Sequence, residues 1–441
     1  MIEEPFSQTA RILHLQFFIR IFATVLKAAS LTIHFLTIKQ EQAMRKFSLL
    51  LLTLLSGLVM MAQTPKTDGE SNEFTIIKQL PITSIKDQAN SGTCWSYSTT
   101  GFLESEILRK GGPEVDLSDM FVVNHTYRDK AEKYVRLHGK GNLAQGGSFY
   151  DVLYVFDNYG AVPEELMTGL NYGTKKNAHS ELEAVLKGML DAVVENHNGR
   201  LSTAWKSAYD KVLDTYLGEL PEQFTYNGKR YTPKSFAESL GIKASDYVSL
   251  TSYTHHPFYT AFPIEIEDNW RWSSSWNLPI DELMQVMDNA IDKGYPIAWG
   301  ADVSEVGFTR DGIGVLADVE AIETKGSDQA RWVGLSYSDK AAEIRRMINR
   351  ADCPEIEPTQ EFRQEGFDNF TLTDDHGMVM IGKAQNQNGR PFYMIKNSWG
   401  ESGQYKGIWY VSRNYVAGRT MNIVVHRDAI PAAIAKKLGL K

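Results

Sequence analysis

A glycine-bearing loop, Gln88-Ala89-Asn90-Ser91-Gly92-Thr93, runs into Cys94-Trp95-Ser96 and places a cysteine at the start of an expected helix. Gly92 lets the loop turn tightly. Phe102, Leu103, Ile107 and Leu108 recur near helical spacing, and Gly111-Gly112 ends the run, which predicts a helix over 95–109. At a helix N-terminus, unpaired amides and the helix dipole favour negative charge. That is the form in which a cysteine attacks a carbonyl or binds a metal. The chain has one other cysteine, Cys353. A disulfide framework is therefore absent and stability must come from a buried core, which a chain of this length can supply. Cys353 reads as a structural or surface thiol.

A reactive thiol needs an imidazole partner and an acceptor for the second ring nitrogen. Of the ten histidines, His376 has the most suitable setting, in Asp375-His376-Gly377 at the mouth of the apolar run from Met378 to Ile381. The next apolar run, Phe392 to Ile395, leads through Lys396 into Asn397-Ser398-Trp399-Gly400. Asn397 can hold the ring by its side-chain oxygen, and Trp399 can shield that bond from water. Gln88 can add a neutral side-chain donor to the backbone amides that would meet a developing oxyanion. Other hydrolytic chemistries lack their motifs. There is no His-Glu-x-x-His and no Gly-x-Ser-x-Gly, and the adjacent His255-His256 before Pro257 reads as a loop. No metal and no cofactor is expected.

Taken in order, Gln88, Cys94-Trp95-Ser96, His376-Gly377 and Asn397-Ser398-Trp399-Gly400 resemble the active-site set of the papain family of cysteine peptidases. The resemblance implies that Gln88, Cys94, His376 and Asn397 are catalytic, with a thiolate–imidazolium pair at Cys94 and His376. It also implies an α+β, two-lobed fold and a peptide or protein substrate. The 282 residues from Cys94 to His376 are about twice the 130–150 usual for papain and the cathepsins. With Leu117-Ser118-Asp119, Gly146-Gly147-Ser148-Phe149 and Tyr159-Gly160-Ala161-Val162-Pro163, that interval is similar to the bleomycin hydrolase/aminopeptidase C branch, which carries a long insertion. Gly146 and Gly147, lacking side chains, would let an extended peptide pair with the backbone. Trp399 joins them as a substrate-side residue.

The resemblance further allows a homo-oligomer. It departs from the family at Ser91, often a disulfide cysteine in papain relatives, and in the short basic tail Lys436-Lys437-Leu438-Gly439-Leu440-Lys441 after Pro431. Exopeptidase and endopeptidase cleavage both stay open at this level. So does a non-catalytic, peptide-binding protein of the same fold.

Met44-Arg45-Lys46, the apolar Phe47–Met61 and the small exit at Ala62 read as a secretory signal, too short for a bilayer span. Residues 1–43 then read as an over-extended reading frame. Export to a secreted or periplasmic location without a lasting membrane anchor is expected. Without residues 1–62 the chain keeps 40 Lys plus Arg against 51 Asp plus Glu, an acidic balance that repels phosphate backbones, so nucleic-acid binding is not expected as a main task. The peptidase domain is placed at 63–441, with a helical lobe and insertion over about 85–294 and a β-rich lobe over about 295–430. Apolar faces through Leu182–Val194 and Trp205–Tyr216 predict helices in the insertion, a third helix is expected over 281–293, and the polar stretch 326–369 carries no assigned element.

Overall fold

The late apolar runs form the centre of a mixed sheet. In the computed structural model, which describes residues 71–324 and 336–440, ten strands join in one sheet: β1 (Phe74–Gln79), β2 (Tyr247–Thr251), β3 (Ala261–Pro263), β4 (Ser274–Asn277), β5 (Ile297–Ala301), β6 (Ile313–Gly314), β7 (His376–Asn386), β8 (Pro391–Lys396), β9 (Ile408–Ser412) and β10 (Thr420–His426). Their order is β3-β4-β2-β10-β5-β7-β8-β9-β6, with β1 pairing antiparallel to β7. The described residues fall in one unit, Gly69–Lys441. The readings of residues 1–62 lie outside the described residues. Among the described residues no helix is long and apolar enough to cross a membrane.

Five helices occupy the first half: α1 (Cys94–Arg109), α2 (Asp119–Arg136), α3 (Phe149–Asn158), α4 (Ser180–Val194) and α5 (Ala204–Leu217). Helix α1 is the central one and is buried from Trp95 through Ile107. Many of its residues are polar, and it can be buried because its hydroxyls bond back along the helix. Thr99 Oγ1 donates to Trp95 O (2.7 Å), Thr100 Oγ1 to Ser96 O (3.0 Å) and Ser105 Oγ to Gly101 O (2.9 Å). Gly101 turns towards the sheet, where a Cβ would meet Lys396 Nζ at 3.5 Å and Val379 at 3.8 Å in ordinary contact.

The expected third helix is α6 (Ile280–Lys293), closed by Gly294 in the left-handed conformation at φ 89°. Helices α7 (Tyr337–Ile348) and α8 (Gln360–Asp368) arise in the polar stretch that showed no pattern. Each starts on a side-chain cap, Ser336 accepting from Asp339 N and Thr359 from Phe362 N. Strands β2, β3 and β4 precede residue 295 and still join the sheet. The sheet therefore draws on both sides of the expected lobe boundary. Helix α9 (Ala432–Lys437) packs Ile434 and Leu438 into the core cluster that contains Leu283 and Met287 of α6.

Candidate active site

Two pairings bring the distant site residues together. Strand β5 lies beside β7 with Ala301 opposite His376 and Gly300 opposite Gly377, so His376 opens its strand against a paired neighbour. Strand β8 pairs on the other side of β7 and ends at Lys396, immediately before Asn397. The loop ahead of Cys94 is stitched to the same corner: Gln88 N donates to Ser398 O (2.9 Å) and Gly400 N to Lys86 O (3.0 Å).

His376 is 6 % exposed, and its Nε2 lies 2.7 Å from Asn397 Oδ1. The same oxygen accepts from Ser398 N at 2.7 Å. Because Oδ1 accepts a backbone N–H, the amide orientation is assigned by the network and Nε2 must be the donor to it. The neutral ring therefore carries its proton on Nε2 and keeps a lone pair on Nδ1. The Trp399 ring stacks on His376 at 4.8 Å and is itself braced edge-on by Trp409. It covers the imidazole and is not among the residues that line the cavity.

Cys94 and His376 line one cavity together with Gly147, Ser148, Asp268 and Asp374. Cys94 is partly exposed, and no disulfide links it to the buried Cys353. Thr93, at the N-cap, gives the first turn no side-chain bond. Burial pushes the Cys94 thiol up to about 12; Asp374 and Asp268 add repulsion, and the amides of Gly377 and Trp95 oppose both. Burial likewise lowers His376 to about 4, against the Asn397 bond and the Asp375 charge. Burial thus opposes the charged form of each group taken singly, while the helix start and the two amides favour the Cys94 thiolate.

Gln88 is buried, accepts from Ser398 Oγ through Oε1 (2.6 Å) and donates one Nε2 hydrogen to Ser91 O (2.8 Å). Its second amide hydrogen has no bond among the described residues. The two glycines meet different neighbours. A Cβ on Gly147 would fall 2.8 Å from the Trp95 ring, and one on Gly146 would fall 2.1 Å from both carboxylate oxygens of Asp268. The loop is held from beneath by Lys130, whose buried ammonium donates to Ala144 O (2.8 Å) and to Gly146 O.

Sequence reasoning did not find Asp268 or Asp374. Asn142 Nδ2 donates to Asp268 Oδ1 at 3.1 Å, and neither carboxylate forms an ion pair among the described residues. Burial pushes Asp374 up to about 8, with Asp268 and Asp375 adding repulsion, and burial also raises Asp268. Asp374 adjoins the Asp375-His376 motif and was open to the same inspection. Asp268 carried no local signal.

Residues 71–198 match the model of the papain family cysteine proteases and residues 364–440 that of a Peptidase C1-like family. An aminopeptidase C of Streptococcus thermophilus is 23 % identical over 86 % of this chain and 87 % of its own length. An aminopeptidase G of Lactobacillus delbrueckii subsp. lactis is 19 % identical over 79 % and 82 %. The crystal structure of PepW from Lactobacillus rhamnosis superposes with a TM-score of 0.61 at 18 % identity, over 83 % of this chain and 84 % of that one.

Proposed function

We propose that this chain, a papain-like cysteine peptidase of the aminopeptidase C/bleomycin hydrolase branch, releases residues from free peptide N-termini through a Cys94 thioester. The observation that carries the chemistry is the His376 tautomer. With Nε2–H held by Asn397 Oδ1 at 2.7 Å, Nδ1 is the nitrogen left to take the Sγ proton in the shared cavity. Neither group gains by charging alone. Passing the proton from Sγ to Nδ1 charges both at once, and each ion offsets the desolvation of the other.

The thiolate then attacks the scissile carbonyl, and the oxyanion takes the N–H of Cys94 and the second amide hydrogen of Gln88. The imidazolium gives its proton to the leaving amine as the C–N bond breaks. A water, deprotonated by Nδ1, hydrolyses the thioester and restores the thiol.

The cleavage mode rests on Asp268. A peptide laid along Gly146 would meet its carboxylate, which covers that glycine, so a longer upstream chain is excluded while an ammonium is attracted. The names of the aminopeptidase C and G relatives support the same reading, and α9 packs on the core away from the cavity. An aminoacyl arylamide should be cleaved at least about tenfold faster than its N-acetylated form, and Asp268→Asn should raise KM for the free form. Equal turnover of the two substrates would exclude an aminopeptidase. Separately, Cys94→Ala should lose at least about 10⁴-fold in kcat/KM. Activity surviving that change would remove Cys94 from the mechanism, and a wild type that binds peptides without cleaving them would support the non-catalytic reading.

Export follows from the signal-like segment ahead of Gln63. The exported protein should begin at Gln63 by N-terminal sequencing. A start upstream of it would count against this reading.

A further inference from the structure

Behind one wall of the cavity, two imidazoles converge on a single carboxylate. His255 Nε2 lies 3.2 Å from Glu265 Oε2 and His256 Nε2 lies 2.9 Å from Glu265 Oε1. One ligand atom from each residue falls within 4.8 Å of the other two. The histidines follow β2 and the glutamate follows β3, so the fold, not helical spacing, brings them together.

Both rings are held in place. His255 stacks on Phe367 (5.4 Å, 6°) and His256 on Phe262 (4.1 Å, 27°). The amide of Gln364 lies against His255 Nδ1, with Oε1 at 3.2 Å and Nε2 at 3.0 Å. That oxygen is fixed by accepting from Thr254 N at 2.6 Å, while Gln364 Nε2 donates to Asp368. Such a partner on the far ring nitrogen fixes the orientation of a metal-ligating histidine.

The geometry points to a divalent zinc site made by His255, His256 and Glu265. Two imidazoles and one carboxylate suit zinc, with bonds of about 2.0–2.2 Å, and the partial exposure of the cluster leaves a fourth position for water. Glu265 lies between Ile264 and Ile266, both of which line the catalytic cavity and lead on to Asp268. Zinc therefore fixes the cavity wall that carries Asp268. The site itself does not depend on the cleavage mode.

The test uses the Cys94→Ala protein, so that the catalytic thiol cannot take the metal. Zinc titrated against a chromogenic chelator should show one site per chain and raise the unfolding temperature. Glu265→Gln and His256→Ala should each weaken binding by about tenfold or more and remove the temperature shift. Glu265 is exposed and His256 half-buried, so the variants are expected to fold, which their unfolding temperatures without zinc would check. Absence of saturable binding would overturn the assignment, and so would binding that both substitutions leave unchanged.

Discussion

Replacing Asn397 by alanine removes the acceptor that holds His376 Nε2 at 2.7 Å and frees the ring to take the wrong tautomer. The expected result is a fall of about 10²-fold in kcat with little change in KM, measured on the free aminoacyl arylamide. A merely structural residue would instead lower the unfolding temperature in proportion. The residues that act by local setting were legible in the sequence, since Cys94 follows a glycine loop, His376 opens an apolar strand and Asn397 ends the next. Asp268 was not, because its meaning depends on lying against Gly146, a neighbour brought close only by tertiary folding. The influences that oppose one another at the thiol were legible only in part. Helix-start chemistry is local, whereas the desolvation that pushes Cys94 to about 12 is set by the whole surrounding fold.

At the scale of elements, one buried ammonium ties the loop before the nucleophile to α1 and α2. Lys86 lies 3.0 Å from Glu104, 2.7 Å from Asp116 and 3.1 Å from Asp119, and it donates to Leu117 O. Burial works against the Lys86 charge, but the carboxylates of Asp119, Glu104 and Asp116 hold its pKa well above the usual range. Burial also pushes Asp119 up to about 6 despite Lys86. Both shifts are upward, which favours the charged lysine but the neutral Asp119; burial of Asp119 and repulsion from Glu104 outweigh its attraction to Lys86. Lys86→Met should cost about 3–5 kcal/mol of stability by leaving these carboxylates uncompensated, read as a lower urea midpoint. Strands with apolar runs and helices with a clear face were legible, including α6 with its glycine stop. Helices α7 and α8 were not, since their polar sequences are organised by caps and tertiary packing rather than by an apolar stripe.

For the molecule as a whole, buried neutral histidines set an acid limit. His179 is fully buried with neither ring nitrogen bonded, and burial lowers it to about 4. Between pH 6.5 and about 4 the unfolded chain binds a proton there that the folded chain does not. Stability from this group is therefore complete above 6.5 and is lost as pH falls towards 4, by up to about 3 kcal/mol. His179→Leu should gain on the wild type in unfolding temperature over that window. A constant difference between the two at all pH values would contradict the assignment. The general α+β class was legible from early helices and late strands, but the joining of strands from either side of residue 295 into one sheet was not, because pairing partners leave no mark on local sequence.

The central claim is that Cys94 is activated by handing its proton to His376, and the pH dependence of its alkylation by iodoacetamide, followed by peptide mass in wild type and His376→Ala, tests this most directly. The wild type should react at Cys94 well below pH 8, and the variant should react only far above it, where burial alone governs the thiol. Reactivity that rises in both proteins together, and only near or above the ordinary thiol pKa of about 8.5, would contradict the account.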